Sequence, residues 1–280
     1  MSFKFQNPST FTMGGMRRLR RRASKPIELS MLGVHAGSPL GSPVQRFFNQ
    51  VAGRSSTKEE ILSVRSQINR LDAEFKKPGN SIPRLRKLWD EFAVNGGARI
   101  AHRVVAEREI AEIRQHGNIN PTDAIASIGS GPALSETFIA KNLVPQGTVT
   151  CIDVSPEMNR LAMQTKERAG VQNMAVFTRS GTKTGLPAAS QDKVIAIRTF
   201  LTNTVHWQPL LQETRRIIKK TPDARFILAF ESSSSRGTQQ VKETLERNGF
   251  QPVHAITYAT FKPLNIESMM IIAKPVPLRN

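Results

Sequence analysis

The residues with the clearest chemical meaning are two glycines and one acid. Gly129, Ser130 and Gly131 follow an apolar run, Ala124–Ile128, and lead through Pro132 and Ala133 into an amphipathic stretch at 135–143. A second apolar run, 148–152, ends on Asp153. The order is strand, tight turn, helix, strand, acid. Glycines after a strand let the backbone turn sharply and approach a ligand closely. The helix that follows points free N–H groups and its positive dipole end at that ligand. An acid at the tip of the second strand suits the two hydroxyls of a ribose.

The elements around these residues alternate. Strands are predicted at 124–128, 148–153, 174–178, 193–197 and 225–230, with helices at 135–143, 156–169, 208–220 and 238–248 between or after them. Gly170 and Gly249 stop two of the helices. The last two strands, 253–258 and 268–273, have no helix between them and should pair antiparallel. The expected fold is α/β: a seven-stranded, mainly parallel, doubly wound sheet with a C-terminal antiparallel hairpin. A helical region precedes it. Thr57 and Glu60 form a capping box, after which Ile61, Val64, Ile68, Leu71 and Phe75 make one apolar helix face. A second helical region at 83–115 breaks near Asn95, Gly96 and Gly97. The expected organisation is a basic, irregular segment 1–56, a helical cap or substrate region 57–120, and a nucleotide-type domain 121–280.

The spacing departs from a dinucleotide fingerprint, which wants a third small residue where Leu134 stands. The pattern Gly129-Ser130-Gly131-Pro132-Ala133, with Cys151-Ile152-Asp153-Val154-Ser155-Pro156-Glu157-Met158 after it, resembles the class I S-adenosylmethionine (SAM)-dependent methyltransferases. The resemblance runs over roughly residues 85–274. Leu88-Trp89-Asp90-Glu91-Phe92-Ala93 is similar to the leading helix of the quinone-biosynthesis methyltransferases, which implies a substrate pocket built by Trp89 and Phe92; plain core packing is the alternative. The resemblance implies that Gly129, Ser130, Gly131 and Pro132 line the methionine part of SAM and that Asp153 takes the ribose. It puts Val154 beside the adenine, and Ser180 and Gly181 at the adenine edge. Arg198 and Thr199 fall beneath the sulfonium, with Phe200 facing the acceptor. His206 follows the fourth strand and is a candidate general base, since its ordinary pKa lies near neutrality. His102 and His116 read as structural.

The sequence differs from the family pattern in three places. Ser127 stands where an acid usually precedes the first glycine, Ala133 replaces the third glycine, and Arg179, Ser180 and Gly181 offer no acid after the third strand. No Asn/Asp-Pro-Pro-aromatic stretch marks exocyclic-amine methylation, and the single cysteine, Cys151, lies in the wrong strand for a C5-pyrimidine mechanism. A buried inert thiol is the expectation for it.

The chain has 280 residues and a net charge of +18. Residues 1–56 carry nine Lys/Arg and one acid, so the basic excess is densest there. Arg17, Arg18, Arg20, Arg21 and Arg22 precede any acid. Such a start suits an organelle transit peptide, an RNA-binding arm or a leader of an exported protein. No apolar run is long enough to span a membrane. A cytoplasmic protein is expected, with a mitochondrial or other targeted compartment as the alternative. Three functions compete: methyl transfer to an O or N acceptor of a small molecule or protein, a methyltransferase-like protein of RNA or the ribosome, and a non-catalytic scaffold.

Overall fold

In a computed structural model, residues 43–53, 57–75, 81–199, 207–231, 235–261 and 266–277 are described. All belong to one compact unit, Ser38–Asn280. Four helices come first: α1 (Pro43–Ala52), α2 (Lys58–Phe75), α3 (Ile82–Val94) and α4 (Gly97–His116). The expected capping box closes α2. The Thr57 N–H donates to Glu60 Oε2 at 2.7 Å and the Glu60 N–H to Thr57 Oγ1 at 3.2 Å, satisfying two otherwise free donors. Gly96, at φ +75°, separates α3 from α4. That angle favours glycine.

Strands and helices then alternate: β1 (Ala124–Ile128), α5 (Leu134–Asn142), β2 (Thr148–Asp153), α6 (Pro156–Ala169), β3 (Met174–Thr178), β4 (Lys193–Ile197), α7 (Trp207–Ile217), β5 (Arg225–Glu231), α8 (Ser235–Arg247), β6 (Phe250–Phe261) and β7 (Ile266–Pro275). The sheet order is β3-β2-β1-β4-β5-β7-β6. The first five strands pair in parallel; β7 runs antiparallel to both β5 and β6. This is the architecture expected from the sequence.

Alternate residues of the central strands feed two cores, as the period of a strand requires. Ile125, Ile195, Ile227 and Ala229 join α1, α4, α5 and α6 on one face. Ala126, Ile128, Val194, Phe226 and Leu228 join α7 and α8 on the other. At the N-terminal edge of the sheet, Lys193 Nζ lies 2.9 Å from Asp123 Oδ2, and both side chains are buried.

Two expectations are corrected. Residues 1–56 are expected to be mostly disordered, yet Pro43–Ala52 is helical and buries Val44, Phe47, Phe48 and Val51. The rings of Phe47 and Phe138 meet edge to face at 5.3 Å. The three-and-four spacing of these apolar residues is a helix signal, obscured by the glycine, serine and proline around it. The remainder of 1–56 lies almost wholly outside the described residues. The hairpin strands are also longer than expected. β6 starts before Pro252, and its register shifts between Pro252 and His254; a bulge is how a strand accommodates proline.

Candidate functional site

The sheet order reverses between β1 and β4, so the crevice at their C-terminal ends is where an open α/β fold binds its ligand. There the N–H groups of Gly129 and Ser130 both donate to the Ile152 carbonyl, at 2.7 and 3.2 Å, which folds the turn back over β2. Gly129, Gly131 and Ala133 all have positive φ, at 66°, 54° and 53°. The turn is also crowded. A Cβ on Gly129 would stand 2.3 Å from Thr199 Oγ1, and one on Gly131 would stand 2.8 Å from His102 Nε2. The Thr199 hydroxyl donates to the Ile128 carbonyl at 2.5 Å, tying the tip of β4 to the tip of β1.

Buried charge surrounds this turn. Asp153 is 9% exposed. Its Oδ2 accepts from the Gly131 N–H and its Oδ1 from the Ser155 N–H, each at 2.9 Å. Burial raises its pKa, and the two N–H donors oppose the rise. Ser155 also caps α6, accepting from the Met158 N–H at 3.0 Å, and donates its hydroxyl to Asp90 Oδ1 at 2.5 Å. Asp90 thereby docks α3 on the start of α6, beside Asp153.

Glu136, in the first turn of α5, is 3% exposed. The Ser127 hydroxyl donates to its Oε1 at 2.8 Å, while its Oε2 is buried without a hydrogen-bond partner. Burial pushes this carboxyl up to about 7; the Ser127 hydroxyl pulls it down, and the fields of Glu109 and Asp153 add to the rise. Glu109, on α4, is also raised by burial, with Arg198 opposing. Arg198 Nη2 lies 2.9 Å from Glu109 Oε1. Arg198 stands at φ +56°, backbone strain of the kind that concentrates at functional sites. His102 is lowered to about 3 by burial and by Arg198, so its imidazole is neutral at physiological pH.

Gly129, Ser130, Gly131, Pro132, Asp153, Arg198 and Thr199 therefore converge at one place. Val154 is half-buried next to Asp153. Ser180 and Gly181 follow β3, and a Cβ on Gly181 would stand 2.3 Å from Ile128 Cγ2, so this loop also closes on the tip of β1. Arg198, expected at the strand tip, forms a mostly buried pair with Glu109. Trp89 and Phe92 sit elsewhere: Phe92 packs with Val64, Met158 and Leu161, and Trp89 lies at the edge of that cluster, with the two rings 5.9 Å apart. It is Asp90 between them that reaches the site's rim. Phe200 and His206 lie outside the described residues. Cys151 is fully buried, with its thiol pushed up by burial, as an inert thiol requires.

Sequence reasoning missed Glu136, Glu109 and His102. A signal existed for each. Glu136 is an acid in a helix's first turn, where the dipole favours it. His102 and Glu109 stand two helical turns apart, and α4 buries Ala98, Ala106, Ile110 and Ile113 around them.

Residues 125–221 match the family model described as a methyltransferase domain. No curated protein matches the chain. Among solved structures, a SAM-dependent methyltransferase from Aquifex aeolicus is similar, with 18% identity, a TM-score of 0.51, and coverage of 59% of this chain and 88% of that one. The [4+2]-cyclase SpnF is similar at 12% identity and a TM-score of 0.57, with 69% and 96% covered. A chain of the complex between the Haloferax volcanii Trm112 methyltransferase activator and a methyltransferase is similar at 14% identity and 0.54, with 68% and 98% covered. At such identities the likeness is one of fold. Domain match and sheet order agree: residues 125–221 are similar to a methyltransferase domain, on an α/β fold that this chain shares with a solved SAM-dependent methyltransferase.

Proposed function

We propose that the protein transfers the methyl group of SAM to an O or N nucleophile of a small molecule or a protein side chain, with the crevice between β1 and β4 as the site. One observation carries the assignment of residues. Asp153, Glu136 and Glu109 are buried together at the glycine turn, and Glu136 Oε2 has no partner. Buried carboxylates stay charged only when paired. A ligand's ammonium supplies the partner that Glu136 lacks, and its ribose diol adds to the N–H donors that Asp153 already holds. In this reading Glu136 holds the amine of the methionine part, taking over from the acid that Ser127 replaces. Asp153 receives the ribose, the turn 129–132 lies along the methionine, and Val154, Ser180 and Gly181 border the adenine. Arg198 and Thr199 form the floor towards the acceptor.

SAM, when bound, supplies an electrophilic methyl group on a sulfonium. The chain's own residues have to align the acceptor with it and exclude water, which is where such sites gain most of their rate. His102, held neutral against Gly131, offers one acceptor nitrogen that could orient an acceptor hydroxyl or amine.

The test is calorimetric titration with SAM and S-adenosylhomocysteine, comparing wild type with Asp153→Ala and Glu136→Gln. Micromolar binding is expected in the wild type. Asp153→Ala should weaken both ligands by about 10- to 100-fold, on the order of the 1–3 kcal/mol carried by a charge-assisted hydrogen bond. A wild type that gives neither heat nor a thermal shift overturns the proposal. The net charge of +18 favours a second reading, in which the acceptor is RNA. Methylation of RNA in preference to small molecules, falling steeply with salt, would select it.

A further inference from the structure

Away from the glycine turn, α4 and β6 bring three ligand-type side chains together. Glu112 and His116 stand four residues apart on α4 and so share a face; His254 meets them from β6. His116 Nε2 and His254 Nε2 each lie 3.8 Å from Glu112 Oε2, and one ligand atom from each residue falls within 4.8 Å of the others. The two imidazole rings are stacked, 3.7 Å apart at 15°.

The electrostatics of this cluster are incomplete. Glu112 is 4% exposed. Its Oε1 is held by Arg108 Nη2 at 2.7 Å. Its Oε2 is buried with no hydrogen-bond partner, and so is His254 Nε2; 3.8 Å is beyond hydrogen-bond reach. A buried acceptor and a buried ring nitrogen that face each other unpaired need something between them.

We propose that Glu112, His116 and His254 bind a divalent transition-metal ion, with zinc as the best fit. Two imidazoles and a carboxylate are an established zinc donor set, and it leaves a coordination position for water. Tetrahedral bonds of about 2.0–2.2 Å separate donor atoms by roughly 3.4 Å, so the observed 3.8 Å needs a contraction of a few tenths of an ångström. The stacked rings must fan apart for their lone pairs to converge. Arg108 then acts from outside, fixing the carboxylate through its other oxygen, as second partners of metal ligands do. The half-buried faces of His116 and His254 provide the water side. A bound ion would clamp α4 to the hairpin edge of the sheet. Glu109 and His102 lie on the same helix, so the clamp would also fix the cap over the glycine turn.

The experiment uses the full chain without a polyhistidine tag, stripped with chelator and titrated calorimetrically with zinc chloride. Cobalt(II) serves as a spectroscopic probe of coordination. One equivalent of zinc should bind at micromolar affinity or tighter, with cobalt absorption bands of a four- or five-coordinate site and a raised melting temperature. His254→Gln and His116→Gln should each weaken binding at least tenfold. Glu112→Gln should do the same; if that variant does not fold, the two histidine variants decide, because their side chains are partly exposed. No zinc binding by the wild type overturns the proposal. So does binding that survives both histidine substitutions, since the ion would then sit elsewhere.

Discussion

Glu136 is the residue on which the site's pH behaviour turns. Its carboxyl titrates near 7 in the folded chain, against 4.5 when unperturbed. Between those values the folded state keeps a proton that the unfolded chain has released. The unfolded state binds fewer protons there, so stability falls as pH rises from about 4.5 to 7 and levels off above. The shift corresponds to about 3 kcal/mol. Glu136→Gln should remove that slope: denaturant midpoints of variant and wild type should be close near pH 4.5, with the variant more stable at pH 8. Ligand binding should show the opposite trend. An ammonium prefers the ionised carboxylate, so SAM affinity should tighten through pH 7 in the wild type and stay flat in Glu136→Gln. A calorimetric series from pH 6 to 8 checks this, and a flat wild-type series would remove Glu136 from the amine site.

At the scale of elements, the glycine turn works because α4 lies directly over it. Gly131 has both a left-handed backbone and His102 in the place of any side chain. Gly131→Ala should therefore abolish measurable cofactor binding, and removing the histidine as well should restore only part of it, because the φ angle remains unfavourable. α1 is tied to the main core instead of being an extension of the basic start. Phe48 is 2% exposed, so Phe48→Ala should lower stability by about 3–5 kcal/mol in a denaturant titration, whereas an unpacked segment would register no change.

At the scale of the whole molecule, the sheet separates function from support. The buried Lys193–Asp123 pair lies at the opposite ends of the strands from the site. Removing one partner of such a pair leaves an uncompensated buried charge, so Lys193→Met should cost about 3–5 kcal/mol of stability and leave ligand affinity at saturating folded protein unchanged. Calorimetry on the folded fraction separates the two effects. The surplus of positive charge is a property of the whole surface as well as of the N-terminal arginines. Residues 121–280 alone carry nineteen Lys/Arg against twelve acids. Polyanion binding should therefore weaken with salt in the full chain and persist, reduced, without residues 1–42; a binding curve insensitive to salt would contradict this.

The sequence by itself determined what is local or periodic. Helix and strand order, the capping box at Thr57, the break at Gly96 and the strand tips bearing Gly129 and Asp153 all follow from spacings within a few residues, and the structure has them where expected. The antiparallel end of the sheet was legible too, because two adjacent strands without a crossover helix have one way to pair. Tertiary structure decided which side chains from distant elements meet. Ser127 read as a missing acid, but its hydroxyl holds Glu136 from the next helix. Arg198 read as lying at the strand tip, and it is Glu109 from α4 that holds it there. His102 read as structural and lies on the glycine turn, while Trp89 and Phe92, read towards the site, pack with α2 and α6. α1 hid in a stretch whose composition argued for no structure. Periodicity records which face of an element is buried; it does not record what that face will be buried against, and the electrostatics of this site are set by that second choice.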